Sequence, residues 1–335
     1  MRWCILFLLP TVAAFSTDNC YRSQQPAWAC EYMASHNKSY HSYGEFKRRL
    51  PYIERAKNKL NMLKDTYEHR RRLSGINLRL GPYADRYDHE RHTNKHLDLK
   101  KHRVRRRRAL REKLKSAPTS FDWRNFGFET PIPVQGDCGG CFAFAATTVL
   151  EYWDQKWRGG SPRAISAQAA MDCSSRAAGG LNDGCEGGLM EDVFEYAEVH
   201  ALPYDDEDPY VAEDTPCRTG SVHEFVSSFG TLSIDDDPRA EDHIAWLVAH
   251  YGPVAVSVDS TSDAFQNYAG GIFSGSMCNK DIDHAMAIVG FTPDYWILKN
   301  SWGDSWGEKG YMRLQRGVNA CGVAEYMAYV RSVHA

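Results

Sequence analysis

The sequence predicts an α+β fold in which helices and strands are segregated along the chain. Three observations carry this. Apolar residues recur at helical spacing in residues 17–65 and again in 141–157. Short runs rich in β-formers, at 253–258, 285–291, 295–298 and 311–314, come only afterwards. Helices first and strands later favour two packed layers rather than an alternating parallel sheet. The texture also changes after Pro118, where aromatics, glycines and cysteines become dense. No internal repeat of 20–50 residues interrupts this order.

Taken from the N-terminus, residues 1–16 read MRWCILFLLPTVAAFS. Arg2 gives a positive start, Cys4 to Leu9 an apolar middle, and Ala13 and Ala14 a small-residue cleavage context, so these sixteen residues are expected to be a signal peptide. No later stretch has the ~18 apolar residues that a membrane helix needs, so no membrane partner is expected. Asn37-Lys38-Ser39 is a glycosylation acceptor where it is exposed. Gly75, Gly81 and Pro82 turn the backbone within 74–90. Residues 100–116 contain KKHRVRRRRALREKLK, which reads as an exposed linker with several basic cleavage sites; a heparin- or nucleic-acid-binding tract and a solvated charged helix are the other readings. Behind a signal peptide no nucleic-acid partner is expected. Beyond it, 141–157 has helix length and an apolar face, begins just after Gly139 and Gly140, and is followed by a shorter helix over 189–199.

The near-neutral net charge of −3 hides a division. Residues 1–116 carry 27 Lys and Arg against 11 Asp and Glu, or +16; residues 117–335 carry 13 against 32, or −19. A basic leader folded onto an acidic body is the expectation, with an attraction that depends on pH and salt. Secretion permits disulfides. Seven of the ten cysteines follow residue 117, an odd number that leaves one thiol over.

Chemistry concentrates in three places. In Gln135-Gly136-Asp137-Cys138-Gly139-Gly140-Cys141, a thiol stands at a helix start, where unpaired N–H groups and the helix dipole favour the nucleophilic thiolate. By itself Cys138-Gly139-Gly140-Cys141 also fits a redox dithiol or structural cysteines, although no strand precedes it as a redox motif requires. Asp283-His284-Ala285 places a histidine at the head of an apolar strand, a common position for a core histidine. Asn300-Ser301-Trp302-Gly303-Asp304-Ser305-Trp306-Gly307 supplies an asparagine able to fix an imidazole's orientation and a tryptophan able to shield that bond from water.

Together these motifs resemble the papain family of cysteine peptidases, from about Pro118 to Val330, with a weaker cathepsin L-like likeness in the leader. The resemblance implies a two-lobe fold, a helical left lobe and a β-barrel-like right lobe, preceded by a mainly helical inhibitory prosegment. It implies a signal peptide over 1–16, an inhibitory domain over 17–99, a basic processing linker over 100–116 and a catalytic domain over 117–335. Cys141 matches the nucleophile, His284 the base, Asn300 the orienting residue and Gln135 the oxyanion-hole glutamine; the sixteen-residue step from His284 to Asn300 fits. Gly187 and Gly188 match the ledge that holds substrate backbone. Leu189, Met190, Ser257, Ile282, Ala285 and Tyr326, with Asp283 and Trp302 nearby, match the substrate-binding positions, so an apolar or aromatic side chain is expected in the main specificity pocket. The family pairs Cys138 with Cys185, Cys173 with Cys217 and Cys278 with Cys321, each worth ~2–4 kcal/mol; Cys20 and Cys30 are free to pair within the leader. Gly140 and Phe142 depart from the family's usual Ser or Ala and Trp or Tyr.

In the leader, His36-Asn37-Lys38-Ser39-Tyr40 and Glu45-x-x-x-Arg49 resemble the inhibitory helical domain, and Gly75-x-Asn77 and Tyr83-x-Asp85 its turn motif with an insertion. The expected protein is thus a cysteine endopeptidase made as an inactive precursor in the secretory pathway, lysosomal or extracellular. It is expected to be a monomer acting on proteins or peptides through a thioester, inhibited by its own prosegment and by cystatin-type proteins, with no cofactor and no metal. The competing readings are a thiol–disulfide oxidoreductase using Cys138 and Cys141, and an acyltransferase or inactive scaffold on the same fold.

Overall fold

The computed structural model describes residues 14–68, 75–86, 117–220, 225–233 and 239–334. Most of the predicted signal peptide, the whole basic linker and parts of the leader lie outside the described residues.

The leader is helical but not one continuous run. Ser16 caps α1 (Thr17–Arg22), which precedes α2 (Ala27–Ser35) and the 26-residue α3 (Tyr43–Glu68). Breaks fall at Ser23–Pro26 and at 36–42, where Phe15 and Tyr40 exchange backbone hydrogen bonds. A disulfide between the fully buried Cys20 and Cys30 ties α1 to α2. Phe46, Ile53, Ala56 and Leu60 form the buried stripe of α3, spaced as one helix face. After the helices, residues 75–86 turn toward the catalytic part, and β1 (Asn77–Leu78) pairs antiparallel with a strand there.

The catalytic part begins with β2 (Phe121–Asp122). Its first lobe is built on α4 (Cys141–Arg158), whose residues from Cys141 to Asp154 are all buried, and on α5 (Ala167–Cys173) and α6 (Met190–Ala197). The second lobe follows: β3 (Phe225–Leu232), α7 (Ala240–His250), β4 (Val254–Val258), α8 (Asp263–Gln266), β5 (Tyr268–Gly270), β6 (Ile272–Phe273), β7 (His284–Phe291), β8 (Tyr295–Lys299), β9 (Tyr311–Gln315) and β10 (Met327–His334). The sheet runs β3-β10-β4-β7-β8-β9-β6, antiparallel except for β6 on β9, with β2 added to β7, while β5 pairs with β1. This is the α+β two-lobe fold.

Two apolar cores fill it, one around α4 and one inside the strand-rich lobe. Helix α4 lies against β7, so the helix start and the strand start meet. The longest strand pair, β3 with β10, and helix α7 are not among the predicted elements. A bulge between Val330 and Ser332 breaks the two-residue alternation of β10 that would have marked it.

Candidate active site

Gly139 and Gly140 let the chain arrive at Cys141 without a side-chain cap, and α4 begins there. The approach segment is held at many points. Cys138 is bonded to Cys185, Gly139 N–H donates to the carbonyl of Cys185 at 2.8 Å, and Gln135 N–H donates to that of Ser301 at 2.8 Å. Cys173 is bonded to Cys217 and Cys278 to Cys321. Cys141 stands outside the four bridges. The bond from Cys138 to Cys185 removes Cys138 from a dithiol with Cys141.

Strand β7 delivers the histidine to the sulfur. The N–H of Ala285, the next residue, donates to Cys141 Sγ at 3.1 Å. His284 Nε2 lies 2.8 Å from Asn300 Oδ1. That oxygen also accepts the N–H of Ser301 at 2.8 Å, which fixes it as the acceptor end of the amide. The hydrogen in the imidazole–amide bond therefore sits on Nε2, and Nδ1 is the basic nitrogen. His284 Nδ1 is buried without a hydrogen bond. The Trp302 ring lies 4.8 Å from the imidazole between centroids, tilted by 32°.

Gln135 is aimed by residues on the opposite side of the cleft. Its Oε1 accepts Ser301 Oγ–H at 2.7 Å and Trp302 Nε1–H at 3.1 Å, and its Nε2 donates to the carbonyl of Cys138 at 3.0 Å. One N–H of the amide remains for a substrate oxygen. Ser301 was not among the predicted site residues, although it lies inside the motif that pointed to Asn300 and Trp302.

Burial acts on both groups. It pushes the Cys141 thiol well up, against the N–H of Ala285, and pushes His284 down from 6.5 to about 4, against its bond to Asn300. The helix start is worth at most ~2 kcal/mol to a thiolate, whereas taking an ion out of water costs several. In this closed precursor burial therefore opposes the thiolate that the helix start favours.

The remaining predicted positions fall on both walls of the cleft. Leu189, Met190, Ala285 and Tyr326 share one core cluster, with Ile282 packed on it. Ser257 stands opposite Ala285 in the β4–β7 register and donates its N–H to the carbonyl of Tyr326 at 2.9 Å. Tyr326 is buried, not a surface aromatic. Asp283 accepts Ser260 N–H at 2.7 Å. Gly188 has no room for a side chain: a Cβ would stand 2.3 Å from Asn182 Oδ1. Its neighbour Gly187 has a positive φ. Among the described residues no group of three or more His, Cys, Asp and Glu could hold a metal.

The leader reaches this site. Tyr83 packs edge-on against Trp302 at 5.6 Å between centroids, and Arg86 donates to the carbonyl of Gly136 at 2.6 Å and pairs with Asp137.

A prosegment docked on a two-lobe body with a buried thiol, imidazole and amide is the architecture of a peptidase precursor. A sequence profile described as "Papain family cysteine protease" matches residues 117–331, and the chain belongs to that family. It is similar to cathepsin R of Mus musculus, 32% identical over 326 residues and 93% of each chain. It is also similar to vignain of Vigna mungo, 35% identical over 272 residues, covering 75% of this chain and 72% of vignain. Digestive procathepsin L 3 of Tenebrio molitor larval midgut superposes with a TM-score of 0.77 at 29% identity, covering 91% of this chain and 98% of that one. The protein is a cysteine endopeptidase in precursor form, with its prosegment as intramolecular inhibitor.

Proposed function

We propose that Cys141 is the nucleophile and His284 the base of a thioester mechanism. The observation that carries this is the single hydrogen-bonded chain Asn300–His284 ending beside a sulfur that Ala285 N–H touches. Once the cleft opens to water and substrate, Nδ1 of His284 takes the Cys141 proton and the sulfur attacks the peptide carbonyl. The oxyanion lies between the free N–H of Gln135 and the backbone N–H of Cys141. His284 gives its proton to the leaving amine, then takes one from water, which hydrolyses the thioester and restores the thiol. The domain limits 17–99, 100–116 and 117–335 fit this use, with Asn37, exposed in a left-handed turn, as a glycosylation acceptor. The apolar cluster of Leu189, Met190, Ala285 and Tyr326 supports selection of an apolar or aromatic side chain. Entry into the secretory pathway, with a lysosomal or extracellular destination, accords with four disulfides.

Cys141→Ser is expected to lower peptide turnover by at least about 10³-fold while leaving the fold intact. Turnover and circular dichroism on the acid-treated precursor test this; a Ser variant at the wild-type rate removes Cys141 from the mechanism. Product analysis with an added amine separates hydrolysis from acyl transfer.

A further inference from the structure

Gly140 has a neighbour that explains it. A Cβ at this position would meet Tyr210 Oη at 3.1 Å and Met171 Sδ at 3.2 Å, both closer than an ordinary contact. The phenol is not there by accident of packing: Tyr210 Oη donates to the backbone carbonyl of Gln135 at 3.0 Å, and its ring sits edge-on to Phe144 of α4 at 4.7 Å. Burial pushes the phenol's pKa well up, so it remains a neutral donor.

Tyr210 belongs to a loop between Tyr204 and Cys217 that buried side chains of α5 hold firmly. Val211 N–H donates to Gln168 Oε1 at 2.9 Å, and Thr215 donates N–H and O–H to Asp172 at 3.1 and 2.5 Å. Asp214 accepts Cys185 N–H at 2.8 Å, beside the bridge to Cys138. The loop is thus anchored to the same disulfide as the segment that Tyr210 holds. In the precursor that segment has two grips on successive carbonyls, Tyr210 on Gln135 and Arg86 on Gly136. Loss of the prosegment removes the second and leaves the first.

We propose that Tyr210 is a positioning residue for the oxyanion hole of this enzyme, fixing the backbone of Gln135 relative to Cys141, and that Gly140 is its steric partner. The proposal rests on the assignment of Gln135 and Cys141 above. Preorganised donors stabilise a developing oxyanion only when aimed, and small misplacements are costly. A side chain at 140 and the hydroxyl at 210 compete for one volume.

The test uses the full-length chain matured at mildly acidic pH with a thiol reductant, its active sites titrated with a thiol-directed epoxide. Tyr210→Phe keeps the ring and removes only the donor. It is expected to lower kcat about 3- to 10-fold with KM within about twofold. The pH profile of Cys141 alkylation by iodoacetamide, which reads the thiolate and not the oxyanion hole, is expected to be unchanged. Gly140→Ala is expected to cost at least about threefold more in the Tyr210 chain than in Tyr210→Phe, the residual cost coming from Met171. A wild-type kcat in Tyr210→Phe overturns the proposal; so does multiplicative behaviour of the two substitutions, or an alkylation rate that falls in step with kcat. Should Tyr210→Phe fail to mature, Gly140→Ala alone decides, and a wild-type kcat there overturns the proposal. A wild-type chain that cleaves no peptide would sink the catalytic assignment instead, and so is distinguishable.

Discussion

At the scale of single residues, the site works through which atom of each side chain is already committed. Asn300 Oδ1 serves both His284 and Ser301 N–H, and this double use is what leaves Nδ1 as the basic nitrogen of His284. Asn300→Ala is expected to free the ring to rotate and change tautomer, lowering kcat by roughly 10- to 100-fold with little change in KM. Steady-state kinetics on matured enzyme measure this; an unaltered kcat would show that packing against Trp302 alone orients the imidazole. Cys141, Gln135, His284 and Asn300 could be singled out from sequence because each lies in a short motif whose local chemistry is unusual. Tyr210 could not. Its role exists only because a distant loop is folded back on Gly140, and nothing in its immediate neighbours signals that. The burial that opposes a thiolate was equally hidden, since a helix start is visible in a sequence and complete burial is not.

At the scale of elements, the turn at residues 75–86 is where the leader becomes an inhibitor. It adds β1 to β5, and Gly81 N–H donates to Asn267 Oδ1 at 2.9 Å. Asp85 closes the turn onto the helices: Tyr32 and Tyr40 each donate to its carboxylate at 2.8 Å and Lys38 at 3.2 Å. Burial alone would raise this carboxyl, but the Lys38 charge and the three donors outweigh it and hold it below the usual range. Its contribution is thus present above the ordinary carboxylate pKa and lost only as pH falls through the lower folded value. Asp85→Ala orphans the buried Tyr40 phenol, which costs about 1–3 kcal/mol, while Tyr32 keeps the Pro82 carbonyl as acceptor at 2.9 Å. In a Cys141→Ser precursor, where no processing intervenes, the prosegment is expected to unfold at distinctly lower urea, and in the active chain maturation at neutral pH is expected to accelerate. Unchanged urea midpoints would mean that β1 and the helices hold the turn without Asp85. The aspartate and Tyr40 each stood in a short motif, but their pairing, and Tyr32 with it, was not visible, because a helix-spaced leader reads as one run while the structure breaks it at 23–26 and 36–42 to bring Tyr32 and Tyr40 together.

At the scale of the whole molecule, the sequence divides into a +16 leader and a −19 body, and the contacts between their described residues are largely uncharged. Among the described residues two direct ion pairs cross, Lys59 with Asp263 and Arg86 with Asp137, and each has a partner well exposed to water. Other contacts include backbone pairing, Gly81 on the Asn267 amide, Arg79 on the carbonyls of Ser305 and Gly307, Arg86 on that of Gly136, Tyr83 on Trp302, and His36. His36 bridges the leader's Leu80 carbonyl at 2.9 Å and Ser305 Oγ at 3.0 Å. Burial lowers its pKa from 6.5 to about 4; Lys38 and Arg79 add to this, while the Leu80 carbonyl and Asp85 oppose it. A histidine lowered on docking gives stability that is complete above its ordinary pKa and is lost as pH falls from 6.5 toward 4. With solvent screening halving the effect, this is about 1 kcal/mol of docking lost by pH 5. The carboxylates held below their usual range, such as Asp85, would act only in stronger acid. His36→Gln is therefore expected to flatten the acid acceleration of maturation between pH 7 and 5, while the wild type accelerates. Salt is expected to act separately, since the long-range attraction between leader and body is screened within ~8 Å at physiological ionic strength. Maturation followed by mass and N-terminus across pH and NaCl concentration resolves the two. An undiminished acid response in His36→Gln would move the switch away from this histidine, and a salt-independent rate would show that the opposite charges of the two parts do not hold them together.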